Sequence, residues 1–225
     1  YAGFARPRTP AALDREGIAH VRKAFTDAAR RALAAGFQWL EIHAAHGYLM
    51  HQFLSPLSNQ RTDDYGGSFQ NRVRLLLETA ADVRAVIPAD LPLAVRISAT
   101  DWVEGGWDLE QSVELARQLK QVGVDLIDVS SGGTVPHGQP AGGRMYQVPF
   151  ADRIRHEAGV PTMAVGNLFD GDACNTVLAA GRADLCLLAR PHLRDPYFVL
   201  HEAERYSFAG QPWPPQYLPA RPRPR

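Results

Sequence analysis

Cysteine is nearly missing from these 225 residues, with only Cys174 and Cys186 present. Cys174 stands in a helical pattern and Cys186 in a strand run, so both are expected as buried free thiols rather than a bridge or a metal pair. Net charge is missing too: Lys+Arg and Asp+Glu both number 24. That balance leaves no footprint for nucleic acid and no attraction to anionic lipid. No apolar run approaches the roughly 20 residues that cross a bilayer. Residues 1–9 hold no apolar signal core. With no disulfide framework either, the expectation is a cytoplasmic protein.

Three chemical signatures are also absent. No G-x-G-x-x-G opens a helix, which removes the key feature of a dinucleotide-binding sheet. No H-E-x-x-H occurs, and the three-residue step from His43 to His46 is the wrong pairing for a helical two-histidine zinc site, so no metal is expected. Lys23 and Lys120 are the only lysines and both fall in helical patterns. That counts against a strand-end lysine for Schiff-base chemistry.

What is present is a repeated theme. Apolar runs at 39–43, 93–98, 126–130, 162–166 and 185–190 alternate with amphipathic segments. The runs are nearly continuous Leu, Ile, Val and Ala, as strands buried on both faces require. A helix is expected over residues 13–35, stopping at Gly36. A second follows Ser68 as N-cap, and a third opens at Asp108 with Gln111 three residues on and stops at Gly123. Shorter helices are expected near Phe150, Asp172 and Pro196. Hydrophobic residues are 45% and charged ones 21%, enough for one domain with a real core.

Strand–helix alternation means parallel strands with right-handed crossovers. Polar residues gather just after each strand, which favours a (β/α)8 TIM barrel over an open doubly wound sheet. Only about five βα units are visible, matching strands four to eight. A barrel needs eight, so the complete protein is expected to hold roughly 120 or more residues before Tyr1. Residues 1–210 then form a partial barrel domain. Residues 211–225, rich in Pro and Arg, form an extended tail.

The densest chemistry lies in Glu41-Ile-His-Ala-Ala-His-Gly-Tyr-Leu-Met-His51. His43 ends a strand, with His46 and Tyr48 in the loop beyond it. Two imidazoles there can donate hydrogen bonds to one substrate oxygen. Arg96 sits inside an apolar strand and needs a partner. It either pairs with Asp128 or Glu41, or faces a cofactor that becomes negative; the second reading is favoured. Val165-Gly166-Asn167 and Ala189-Arg190 end the last two strands, where barrels commonly hold phosphate. The long polar stretch from Leu54 to Ser68 is functional or pinned by an Arg61–Asp63 pair, and the pair is favoured.

These residues carry a resemblance. Glu-Ile-His-Ala-Ala-His-Gly-Tyr, the Leu-Ser-Pro-Leu-Ser-Asn-Gln-Arg-Thr-Asp-Asp-Tyr-Gly-Gly-Ser stretch and Asn71-Arg72 come in order. Val95-Arg-Ile-Ser-Ala-Thr-Asp101, Asp128-Val-Ser-Ser-Gly132 and Gly181-Arg-Ala-Asp184 follow. Together they resemble the Old Yellow Enzyme family, the NADH:flavin oxidoreductases, in its bacterial class with His-x-x-His. The resemblance runs from about Thr9 to Tyr217. It implies a barrel holding FMN and reduced by NADPH or NADH. His43 and His46 would hold a carbonyl oxygen, and Tyr48 would give a proton to the alkene carbon. Arg96 would face the flavin pyrimidine edge and stabilise the anionic hydroquinone. Gly166, Asn167, Ala189 and Arg190 would bind the FMN phosphate. The implied partner is a small molecule with a conjugated carbonyl, with a homo-oligomer as a further possibility.

Residues 143–152 and 188–197 resemble the reductase half of fused proteins acting on aminobenzoyl-CoA or salicylyl-CoA, which would join this barrel to a flavin monooxygenase. An arginine that the related class places in the neighbouring subunit's site aligns with Pro219 here, with Arg221 two residues on. The rival readings are a non-catalytic fragment needing further strands and a phosphate-binding barrel of other chemistry.

Overall fold

Five of the apolar runs form strands: β1 (Leu40–Ala44), β2 (Leu93–Ser98), β3 (Leu126–Ser130), β4 (Thr162–Ala164) and β5 (Leu185–Cys186). The computed structural model describes residues 10–138, 140 and 142–221. All four strand pairings are parallel, in the order β1-β2-β3-β4-β5. A doubly wound sheet reverses its strand order at a switch point. Here the order never reverses, which is the arrangement of an arc cut from a barrel wall.

Helices α1 (Arg15–Ala34), α2 (Leu49–Leu54), α3 (Phe69–Arg84), α4 (Leu109–Gln121) and α5 (Val148–Ala158) are followed by α6 (Gly171–Ala179), α7 (Arg190–Arg194) and α8 (Phe198–Arg205). The expected caps are in place. Ser68 Oγ accepts from the Asn71 amide and Asp108 from the Gln111 amide, while Asp14 and Asp170 cap α1 and α6 in the same way. Each such cap stabilises its helix by about 1 kcal/mol. Arg22 on α1 pairs with Glu78 and Asp82 on α3, tying the first helix to the second long one.

Register and the two-residue period of strands divide the sheet into two faces. Ile42, Val95, Ile97, Ile127, Val129 and Ala164 look outward and join the main core with Val73, Leu76, Leu115, Leu119 and Ile154 of the helices. On the inner face His43, Arg96, Asp128 and Met163 stand level with one another. Ala94 and Leu126, one same-face step below, form a small apolar cluster with Met163 and Leu187. Apart from Glu41 on β1, the inner face is therefore apolar toward the strand starts and polar toward their C-terminal ends.

Four expectations need correction. The last two strands are shorter than 162–166 and 185–190. The chain turns at Gly166 (φ 110°) and Asn167 (φ 54°), and β5 pairs with β4 alone among the described residues. Residues 49–54 form the short helix α2 where a loop is expected. Cys174 and Cys186 are half-buried rather than buried. In the tail, Pro215–Ala220 winds into a 3-10 helix instead of staying extended, because proline's fixed φ suits that helix too. Tyr217 and Tyr197 hydroxyls meet there at 2.6 Å, and Arg221 donates to the Ala209 carbonyl. Residues 222–225 lie outside the described residues.

Candidate active site

The end of β1 puts three rings together. The His43 ring lies 5.3 Å from that of His46 and 5.3 Å from that of Tyr48, centre to centre. His46 adopts a left-handed φ of 59°, uncommon for a residue with a side chain. It is fixed there twice. Its amide donates to Ser98 Oγ at 3.0 Å, and its Nε2 lies 2.7 Å from Ser130 Oγ. Burial, then Arg96, His43 and His51, push the His46 imidazole down to about 4. Burial, then Arg96 and His51, lower His43 as well. Both rings are therefore neutral near pH 7, each with one N–H to donate.

A network invisible to motif reading holds this loop. His51, fully buried, accepts the Gly47 amide on Nδ1, so its proton sits on Nε2, 3.1 Å from Asp101 Oδ1. Asp101 also accepts from Ser55 Oγ, Thr134 Oγ1 and the Trp107 amide. Burial alone would raise this carboxyl, but these donors hold it at about 2. The loop after β1 also touches the loop after β3. A Cβ at Gly47 would strike the Gly133 carbonyl, and one at Gly133 would come within 2.5 Å of His46 Cα. Gly47 and Gly133 are thus glycine for close approach as well as for positive φ. The sequence signal for this was a glycine beside each strand end. The expected Arg61–Asp63 pair is formed at 2.6 Å and pins the polar loop.

The ends of β4 and β5 enclose a cleft of about 200 Å³, lined among others by Arg96, Gly166, Asn167, Phe169, Ala189 and Arg190. All five residues assigned to cofactor binding thus line one hollow. A side chain at Gly166 would meet Gln147 Nε2 at 2.7 Å and the Tyr146 ring at 3.0 Å. Asn167 donates to the Gly143 carbonyl and accepts from Arg190 Nη2 at 2.8 Å. Gln147 bridges the two halves of the site. Its Oε1 accepts from Ser131 Oγ at 2.5 Å, and its Nε2 donates to the Val165 carbonyl.

Arg96 does have an acidic partner: its Nε lies 3.1 Å from Asp128 Oδ2. The N–H is not aimed at that oxygen, so the contact is ionic. Arg96 Nε and both Asp128 oxygens have no hydrogen-bond partner. The expected pair with Asp128 therefore exists, and the guanidinium also lines the cleft.

The profile of the NADH:flavin oxidoreductase / NADH oxidase family matches residues 3–206. The chain belongs to that family. The NADPH dehydrogenase of Bacillus subtilis (strain 168) is 46% identical over 209 residues, covering 93% of this chain and 61% of that protein. The NADPH dehydrogenase of Geobacillus thermodenitrificans (strain NG80-2) is 50% identical over 193 residues, covering 84% and 55%. The chain thus spans about three fifths of the length of these curated relatives. Among solved structures, a 2-naphthoyl-CoA reductase in complex with 2-naphthoyl-CoA superposes with a TM-score of 0.79 at 29% identity, covering 88% of this chain and 30% of that one. Morphinone reductase in complex with tetrahydroNAD gives 0.72 at 28% identity, covering 93% and 54%. As a member of this family, the chain supplies part of a TIM barrel, with its polar inner end on the side where barrels carry their chemistry. No helix among the described residues is long and apolar enough to cross a membrane.

Proposed function

We propose that this chain forms the FMN-holding and substrate-polarising part of an NAD(P)H oxidoreductase that reduces an alkene conjugated with a carbonyl. One observation carries the reading: the cleft lined by both Arg96 and Arg190 shares Ser130 of β3 with the His43–His46 pair. The residues suit FMN. Gly166, at φ 110° and packed against Gln147, turns the backbone along the cleft, Arg190 offers a cation to a phosphate, and Arg96 carries a buried N–H with no partner. When bound, FMN would supply two-electron chemistry between a dihydronicotinamide and the acceptor.

The protein's share is binding and charge placement. Gly166, Asn167, Ala189 and Arg190 hold the phosphate, with charge-assisted bonds from Arg190. Arg96 places a positive charge where the ring system becomes negative. His43 and His46 donate to the substrate's carbonyl oxygen, His46 exchanging the Ser130 hydroxyl for it. Negative charge grows on that oxygen as the β-carbon is reduced, so the donors stabilise the transition state more than the ground state. Tyr48, 45% exposed beside His43, holds the proton delivered to the α-carbon. An aromatic acyl-CoA acceptor, and association with a flavin monooxygenase domain, are finer forms of the same proposal. The resemblance of residues 143–152 and 188–197 supports them.

The test is direct. The purified protein should show a flavin absorption spectrum that bleaches with NADPH or NADH and returns on adding an enone. A colourless protein that takes up no FMN would end this reading and leave the phosphate-binding barrel of other chemistry.

A further inference from the structure

Two carboxylates in this molecule are almost completely buried near the site, at 1% exposure each: Asp101 and Asp128. Their surroundings are opposite. Asp101 receives hydrogen bonds from three protein donors beside its pair with His51. It stays ionised and serves to fasten loops. Asp128 receives none on either oxygen. Its neighbours can be named element by element. From β2, Arg96 approaches to 3.1 Å, and from β1, Glu41 adds a second carboxylate that opposes ionisation. From β4, level Met163 offers only an apolar wall, and Leu126 and Ser130 flank it on β3 itself. His43, level with Arg96 on the far strand, is the nearest titrating ring in the same register row. A carboxylate held by one misaligned cation and no hydrogen bond is poised between its charged and neutral forms.

We propose that Asp128 is the redox-linked proton acceptor of this site, a carboxylate that balances Arg96 while the cleft is neutral and takes up a proton when negative charge is placed against Arg96. The proposal rests on the flavin reading above. Reduction by a dihydronicotinamide brings two electrons and one proton to the ring system and leaves it one net negative charge. That charge competes with Asp128 for the single guanidinium. A unit charge at about 6 Å, in an effective dielectric constant of about 20, raises a carboxyl's proton affinity about 100-fold. A second proton then comes from solvent to an Asp128 oxygen. The balance is two electrons and two protons per turnover of the site, with one proton on the protein. Burial already raises Asp128 to about 7, with Arg96 lowering it and Glu41 raising it, so a modest further push acts near neutrality. The arrangement keeps the inner face at constant charge, so that neither redox state leaves a lone buried ion. Asp128 is thereby a positioning residue that acts through Arg96 rather than on the substrate.

The experiment is the midpoint potential of the FMN-loaded protein as a function of pH, for the unmodified protein and for Asp128→Asn. The unmodified protein should show a stretch near neutral pH where two protons accompany two electrons, doubling the slope of potential against pH, with one proton on either side. Asp128→Asn should show one proton throughout. Equal slopes in the two proteins would overturn the proposal while leaving the flavin reading intact, whereas a protein that binds no FMN would overturn both. Should Asp128→Asn fail to fold, the reduced-minus-oxidised infrared spectrum of unmodified protein carrying 13C-labelled aspartate decides the matter. A new protonated-carboxyl band that shifts with the label supports it, and the absence of such a band sinks it.

Discussion

His43 and His46 are set apart from the other histidines by what surrounds them. His51, three residues beyond Tyr48, is committed on both nitrogens to Gly47 and Asp101 and has nothing left to offer a ligand. His46 has one exchangeable partner, the Ser130 hydroxyl. Removing one donor from a developing oxyanion typically costs about 2.7–4 kcal/mol, or about 10²–10³ in rate. His43→Ala or His46→Ala should therefore slow reoxidation of the reduced protein by an enone by that factor. Reduction by NADPH or NADH should fall much less, because no oxyanion forms in that half. Tyr48→Phe should slow alkene reduction but spare quinones, which take their protons elsewhere. Stopped-flow traces of the two halves separate these cases, and equal losses in both for the histidine variants would remove the oxyanion role. A second residue-scale expectation concerns Arg190, whose Nη2 is held by Asn167 at the cleft. Arg190→Met should weaken FMN binding about 10- to 100-fold, the worth of a charge-assisted bond of about 1.5–3 kcal/mol. Riboflavin, which lacks the phosphate, should bind both proteins alike. Parallel titrations with the two ligands check this, and an equal loss for both would place Arg190 away from the phosphate.

At the scale of elements, the site depends on loops that meet rather than on any one strand. Gly47 and Gly105 share the same left-handed φ of 73°. An added Cβ at Gly105 meets nothing within 4 Å, whereas one at Gly47 strikes the Gly133 carbonyl. Gly105→Ala should thus cost only the backbone strain, about 1–2 kcal/mol. Gly47→Ala adds about 1–3 kcal/mol of overpacking and displaces His46. Thermal melts should rank them in that order, and only Gly47→Ala should lose enone reduction disproportionately; equal behaviour would mean that the loop contact is unimportant. This contrast also marks the limit of sequence reading. The runs at 93–98 and 126–130 are legible to the residue because strands buried on both faces leave unbroken apolar text. Ser68 and Asp108 are legible because caps are local chemistry. The set His43, His46, Tyr48, Arg96 and the cleft residues is legible as strand-end polarity and as family pattern. The His51–Asp101–Thr134 network is not, because its members are separated by 50 and 33 positions and meet only when α2 and the loops after β2 and β3 come together. The early ends of β4 and β5 were hidden as well, since Val165 and Leu187 look like strand while the backbone has already turned.

At the scale of the whole molecule, stability against pH follows from buried groups that are shifted in opposite directions. His46 is lowered from 6.5 to about 4, so its contribution is fully present above about 6.5 and is lost as pH falls through about 4. Asp128 is raised from 3.8 to about 7, so its contribution is fully present below about 3.8 and is lost as pH rises through about 7. Between about 4 and about 6.5 the folded chain lacks one proton at His46 that the unfolded chain holds. Over the same range it holds one at Asp128 that the unfolded chain lacks. The two counts cancel, and stability changes with pH only as the difference in bound protons. The unmodified protein should therefore be nearly flat across that range. Asp101 and Asp63, both held at about 2, enter only below about 4. Asp128→Asn removes one side of the balance. Its stability should fall on acidification from about 6.5 to about 4, by up to about 1.4 kcal/mol per pH unit. Above about 7 it should exceed the unmodified protein, because no buried carboxylate has to be charged. His46→Ala should do the reverse and grow more stable toward acid over the same range. Denaturant unfolding at a series of pH values measures all three slopes. Parallel profiles for the unmodified protein and Asp128→Asn would show that this carboxyl is ionised in the folded chain across the range, with Arg96 outweighing its burial.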